Sequence, residues 1–166
     1  MRQKVDLTKF LNFEWGIYDG EIYGGRCGYV KLPETKGKVT VFSSGKVISI
    51  GAKSTNDSFK QLNNAKFQLL QANLIFDVEI EPKIQNIVAT LSLDHSLSIN
   101  KMVRELRGAI YEPDQFPAVI LKSVNKGSYL IFASGKIVIS GCKSDDEIMQ
   151  ASFEIQQKIE SIHNHP

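Results

Sequence analysis

The segment "VFSSGKVISIGAKS" beginning at Val41 returns as "IFASGKIVISGCKS" beginning at Ile131. Phe42 answers Phe132, Gly45 answers Gly135, Lys46 answers Lys136 and Lys53 answers Lys143, at a constant offset of 90 (132 − 42). This internal repeat constrains the fold more than any bulk property does. Two tandem copies are too few for a solenoid, so the chain reads as one pseudo-symmetric domain of two similar lobes. Upstream the offset becomes 93 (110 − 17): "IYDGEIY" at Ile17 answers "IYEPDQF" at Ile110, which makes Tyr23 the best positional match to Phe116, with other registers allowed by the loop lengths. The longer first-copy connection "KLPETKGK" is expected to absorb the difference, and "VDLTKFL" answers "LSINKMV" further upstream. The lobes are assigned to residues 1–76 and 77–166.

The second copy parses most clearly. A strand from Ile84 precedes a short helix with Ile99, Met102, Val103 and Leu106 at helical spacing on one face. A turn with Pro113 leads to a strand from Phe116 to Val124, then a turn at Asn125, Lys126 and Gly127. Strands from Tyr129 and from Ile137 flank a turn at Ser134 and Gly135, and residues Lys136 to Lys143 read as two short pairings. Ser144 and Glu147 form a capping box that opens a longer helix with Ile148, Ile155, Ile159 and Ile162 on its buried side. The fold class is α+β, with two helices and an antiparallel sheet per copy.

The strands are apolar on both alternating sets. Tyr129, Ile131, Ala133, Ile137 and Ile139 form one set, and Leu130, Phe132, Val138 and Ser140 the other. A half-covered strand ordinarily alternates apolar with polar. Two helices per copy cannot cover both faces of so wide a sheet, so one apolar face is expected to stay bare for a partner.

Composition narrows the partner. The 166 residues are 42% hydrophobic and 23% charged, with a formal charge of +2, which are globular values. The chain shows neither a signal segment nor an apolar run long enough to span a bilayer. Cys27 and Cys142 lie far apart and suit free thiols in a reducing compartment. His95, His163 and His165 make no catalytic or metal set with them, and "HNH" at 163–165 reads as a chain-end tail. Asp145, Asp146 and Glu147 suit a helix start, and "GAKS" lacks the spacing of a phosphate loop. No catalytic site, metal or cofactor is expected. The bare set instead combines Leu130, Phe132, Val138 and Ser140 with Asn86, Val88 and Thr90, rimmed by Lys122, Lys136 and Lys143, and by Lys46 and Lys53 in the first copy. An apolar centre, a few hydrogen-bonding groups and a basic rim suit the minor groove of a duplex, whose floor offers few distinguishing groups and whose phosphates attract lysine.

"IQNIVAT", "YEPDQFPAVIL", "LIFASGKIVISGCKS" and "VFSSGKVISIGAKS" resemble the paired motifs of the TATA-box-binding protein family, from about Val5 to Ile162. The resemblance implies a two-lobed saddle, a curved antiparallel sheet with helices on the convex face, that binds and bends promoter DNA from the minor groove. Kinking by apolar wedges is established behaviour of that family rather than a deduction from this sequence. By position, Phe116 and Phe132 match the intercalating pair of the second lobe, and Asn86 the central asparagine. Val88, Leu130 and Val138 match residues on the groove floor, with Ser140 close to the centre, and Ser134, Lys136, Lys143 and Lys122 match phosphate contacts. The first-lobe counterparts are Tyr23, Thr40, Phe42, Ser44, Lys46, Ile48, Ile50 and Lys53. Glu112, Asp114 and Gln115 match the stirrup that meets transcription factor IIB, which with RNA polymerase completes the implied partners.

The first copy departs from the pattern. Only Met1 to Lys4 precede "VDLTKF", so the family's first strand and its second central asparagine are missing, which leaves a strand edge open to a further chain or a second copy. "EIYGGRCGYVKL" replaces the usual stirrup, and Ile50 removes a hydroxyl near the centre. These departures leave a second reading open, a scaffold or inhibitor of transcription with weakened DNA binding. The resemblance places the protein in a nucleus, with a viral factory or an archaeal cytoplasm as alternatives, and the richness in Asn, Ile and Lys suits a protist or viral genome.

Overall fold

Each copy of the repeat folds into its own antiparallel sheet with a long helix across one face. The computed structural model describes residues 3–124 and 127–163; Asn125 and Lys126 of the expected turn, and His165, lie outside the described residues. Two compact units divide the chain into Met1–Pro82 and Lys83–Pro166, whereas the sequence alone places the boundary after residue 76.

In the second unit, β5 (Ile87–Ser92), β6 (Ala118–Lys122), β7 (Ser128–Phe132) and β8 (Lys136–Cys142) form a sheet in the order β5-β8-β7-β6. The short helix α2 (Ile99–Glu105) and the long helix α3 (Asp145–His163) lie on one side of it. Alternation decides which side: Val119, Leu121, Tyr129, Ile131, Ile137 and Ile139 are buried against Met102 and against Ala151, Ile155, Ile159 and Ile162 of α3. Tyr129 carries the one polar group in that set, and its hydroxyl donates to the Ala151 carbonyl at 3.0 Å. Burial there pushes its phenol up to about 12. The expected capping box is present. Ser144 Oγ accepts from the Glu147 N–H at 3.2 Å, and the Glu147 carboxylate accepts from the Lys143 N–H at 2.6 Å.

Lys136–Cys142 is one continuous strand, not two short pairings. Its register with β5 shifts between Ile87↔Cys142 and Ala89↔Ile139, so a bulge gives β8 an extra residue there. Gly141, with φ of +91°, supplies the left-handed conformation at the bulge. The remaining strand of the repeat is reduced in this unit to a single bridge, Ile110↔Ile120.

The first unit repeats the plan with β1 (Gly16–Tyr18), β2 (Cys27–Val30), β3 (Lys38–Phe42) and β4 (Val47–Ile50) in the order β1-β2-β3-β4, followed by α1 (Thr55–Gln71). The counterpart of α2 is a 3-10 turn, Leu7–Asn12, rather than an α-helix; Asp6 caps it by accepting from the Thr8 N–H. Among the described residues no strand pairs with the outer edge of β4, the edge that β5 occupies on β8 in the second unit. The core here also takes in a buried polar side chain and a cavity. Ser49 donates to buried Gln61 of α1 at 2.6 Å, and a cavity of about 220 Å³ is lined by Val5, Val41, Val47, Leu62, Leu69 and Ile75 among others.

The sheet registers locate the length difference between the copies. Ile17 pairs with Tyr29 as Ile110 pairs with Ile120, and Cys27 pairs with Phe42 as Ala118 pairs with Phe132. Between these points the first copy has 10 steps (27 − 17) and the second 8 (118 − 110), so two of the three extra residues fall in the "YGG" segment. Only one lies in "KLPETKGK" (42 − 27 against 132 − 118), which alone was expected to absorb the whole difference.

Candidate nucleic-acid interface

The other face of the second sheet carries no helix of its own unit. Ile120, Leu130, Val138 and Thr90 stand in one cross-strand row, through the pairs Ile120↔Leu130, Leu130↔Val138 and Thr90↔Val138. Lys122, Ser128 and Ser140 form the next row, with the two serine hydroxyls 3.2 Å apart. Val88, on the edge strand, is 58% exposed. This is an open apolar strip with hydroxyls along one side. Its sequence origin is the doubly apolar alternation, because the second apolar set has no covering element to pack against.

One end of the strip carries two aromatic rings. Phe132 ends β7 opposite Ala118, and Phe116 stands two residues before Ala118; their rings meet edge to face with centroids 6.0 Å apart. Phe116 remains 39% exposed. The preceding loop is closed by Gln115 N–H and Phe116 N–H, which both donate to the Glu112 carbonyl at 3.0 and 2.9 Å. That turn leaves the side chains of Glu112, Asp114 and Gln115 in solvent. Ser134, Lys136 and Lys143 are exposed around the β7–β8 turn and at the end of β8. Gly135 makes that turn with φ of +84°, and a side chain there would strike the His95 carbonyl.

Asn86 sits at the opposite edge, just before β5. Its Oδ1 accepts from the Gly141 N–H at 2.7 Å. A backbone N–H can be met only by the carbonyl oxygen of the amide, so this bond assigns the amide and leaves the Nδ2 donors of this exposed residue available to an outside acceptor. An available amide donor suits the acceptors A N3 and T O2, which are all that an A·T pair displays in the minor groove. The bulge at Gly141 therefore serves Asn86 as well as the strand.

The first unit presents a corresponding face. Ile17, Tyr29, Thr40 and Ile48 form its central row, with Lys38 opposite Ile50 and Cys27 opposite Phe42. Thr40 is 5% exposed, and its Oγ1 has no hydrogen-bond partner within the protein. Ile48 is half-buried, while Ser44, Lys46, Ile50 and Lys53 are exposed. Tyr23 does not take the place of Phe116. The residue two before Cys27 is Gly25, so a glycine stands where the second lobe has Phe116. Tyr23 instead lies in a left-handed turn, φ of +52°, followed by Gly24 and Gly25 at +61° and +68°, and is 75% exposed. The Tyr29 phenol is pushed up, by burial first and then by Cys27 and Tyr23. Among the described residues no ring pairs with Phe42.

Among the residues of these faces that escape a motif reading are Ile120, Tyr29 and Lys38. Strand parity finds them, since Ile120 is two before Lys122, and Lys38 is two before Thr40. No group of three or more His, Cys, Asp or Glu residues among those described is placed to hold a metal ion. The His163 ring packs 5.0 Å from that of His95, whose Nδ1 meets Asp94.

Known proteins resemble this chain in sequence and in fold. A family model described as "Transcription factor TFIID (or TATA-binding protein, TBP)" matches residues 1–71 and 81–162. The TATA-box-binding protein of Cenarchaeum symbiosum is 43% identical over 157 residues, covering 95% of this chain and 86% of that protein. That of Natronomonas pharaonis is 31% identical over 164 residues, covering 96% and 87%. The solved structure of Methanococcus jannaschii TBP superposes with a TM-score of 0.81 at 30% identity, covering 96% of this chain and 91% of that one. These relatives are archaeal, whereas residue composition pointed to a protist or viral source.

Proposed function

The chain belongs to the TATA-box-binding protein family, and from that premise we propose that it is a general transcription initiation factor that binds TATA-like promoter DNA in the minor groove, bends it, and recruits a transcription factor IIB-like protein and RNA polymerase. Such a protein acts by binding, not by catalysis. One observation carries the reading: the uncovered apolar face of the second lobe ends in the Phe116–Phe132 pair and is flanked by Asn86 with its amide donors available. Apolar side chains fit a groove floor that offers few hydrogen-bonding groups, and a paired aromatic wedge can unstack a base step. Exposed Lys122, Lys136 and Lys143 supply phosphate contacts that fix register.

The solvent-facing loop of Glu112, Asp114 and Gln115 supports a docking point for the IIB-like partner, since it stands beside the wedge and is not needed for the core. No helix among the described residues is long and apolar enough to cross a membrane. The archaeal relatives favour a cytoplasm without a nucleus as the place of action, over the nuclear expectation. The scaffold reading keeps one supporting observation, Gly25 in the place of a wedge ring, which weakens the first lobe's hold on DNA.

A ternary assembly assay separates the two readings. With a TATA duplex and an archaeal IIB-like factor, the wild-type chain is expected to give a DNA-containing ternary complex. Glu112→Lys is expected to lose the ternary band while keeping the binary one. A partner complex that forms equally well without DNA would favour the scaffold.

A further inference from the structure

The two lobes carry different charges at one corresponding place. In the second lobe Lys122 pairs across the sheet with Ser128. In the first, the shared register, Tyr29↔Thr40 matching Ile120↔Leu130, puts Lys31 at the place of Lys122 and Lys38 at that of Ser128. The ladder ends at Val30↔Val39; Lys31 follows Val30 and Lys38 precedes Val39, so the two lysines take the facing positions one step beyond its last pair. By parity both belong to the uncovered face with Tyr29 and Thr40.

Like charges opposite each other on antiparallel strands destabilise a sheet. Lys38 is partly accommodated, with its Nζ 3.6 Å from the centroid of the Tyr29 ring. Among the described residues, neither Lys31 nor Lys38 is paired with a carboxylate. Two lysines at facing register positions, neither paired with a carboxylate, are complementary to a polyanion.

We propose that Lys31 and Lys38 form an additional phosphate clamp in the first lobe, gripping the sugar–phosphate backbone of the duplex that lies on this face. The inference rests on the DNA reading above. Backbone phosphate is the fitting ligand because an ammonium is a compact point charge that does not discriminate base edges, and two neighbouring ammoniums suit a doubly accepting anionic oxygen pair. With Gly25 where the second lobe has Phe116, the first lobe then holds DNA by charge where the second holds it by wedging.

The test is anisotropy of labelled TATA and GC-rich duplexes over a salt series with wild type, Lys31→Met, Lys38→Met, the double variant, and Lys60→Met on exposed α1 as a charge control. Each single variant is expected to lower the log–log salt slope by about 1 and the double by about 2, on both duplexes alike. Lys60→Met is expected to leave the slope unchanged. The double variant's melting temperature without DNA is expected to stay level or rise, as the repulsion is removed, which rules out misfolding as the cause. A double variant with the wild-type slope, or a loss confined to one duplex, overturns the clamp while leaving the DNA reading standing. A wild-type chain that binds neither duplex overturns the DNA reading and the clamp with it.

Discussion

Phe116 and Phe132 meet edge to face, ring centroids 6.0 Å apart, at the end of an apolar strip that no helix of their lobe covers. In the first lobe Phe42 has no such companion, because Gly25 occupies the place of Phe116. DNA bending is therefore expected to be unequal between the lobes. Phe132→Ala or Phe116→Ala should reduce end-to-end fluorescence transfer in a bent TATA duplex substantially more than Phe42→Ala. Equal losses would mean that Phe42 wedges as well alone as the pair does together.

Asn86 offers a sharper test of groove reading, since its Oδ1 is already committed to the Gly141 N–H. Asn86→Asp keeps that acceptor, and with it the bulge, while removing the amide donors and adding a negative charge. TATA affinity should fall by roughly tenfold or more, the scale of a lost base contact, with the melting temperature nearly unchanged. Retained affinity would remove Asn86 from the interface.

The exposed rim lysines are expected to act without regard to sequence. Lys136→Ala and Lys143→Ala should each weaken binding to TATA and GC-rich duplexes in parallel and flatten the salt slope by about 1. Weakening on one duplex only would assign them to base edges instead.

Stability of the second lobe should be lost at both extremes of pH, through groups that meet on α3. Glu154 accepts from Ser123 Oγ at 2.8 Å and from the Val124 N–H at 3.4 Å, and pairs with Lys158 at 3.3 Å. Burial alone would raise its pKa, but those bonds outweigh it, so the carboxyl lies below its ordinary 4.5. Its contribution is present above that value and disappears as pH falls through the lower folded one. Tyr129 works in the opposite direction. Burial raises it from 10.0 to about 12, so its contribution is present below pH 10 and is lost as pH climbs through 12. Thermal melts across pH are expected to show Glu154→Gln removing part of the acid-side loss, and Tyr129→Phe part of the alkaline-side loss. Unchanged pH profiles would contradict these assignments.

Much of this was legible in the sequence, and the reasons are specific. The 90-residue offset is preserved wherever a β-hairpin fixes spacing, as in the SGK turns, where the backbone of Gln3 or His95 leaves no room for a side chain at Gly45 or Gly135. The doubly apolar alternation of β7 and β8 foretold an uncovered face, and Ser144 with Glu147 foretold the start of α3. What the sequence hid lies where residues leave the ladder. Tyr23, Gly24 and Gly25 run through left-handed conformations that take up two residues without pairing them, so matching by similarity set Tyr23 against Phe116. Gly141 does the same inside β8, where the register with β5 shifts by one residue. The Lys31–Lys38 juxtaposition was hidden too, because the two residues become neighbours only through the β2–β3 register.

The account stands most directly on binding preference. Anisotropy of the purified chain on a TATA duplex and a GC-rich duplex of equal length, across a salt series, is the first measurement to make. The account predicts tighter binding to the TATA duplex, with a preference that persists as salt rises because the apolar face and the Asn86 amide carry it. Equal, weak binding to both duplexes that collapses with salt would contradict it, leaving the lysines as the only contact with DNA.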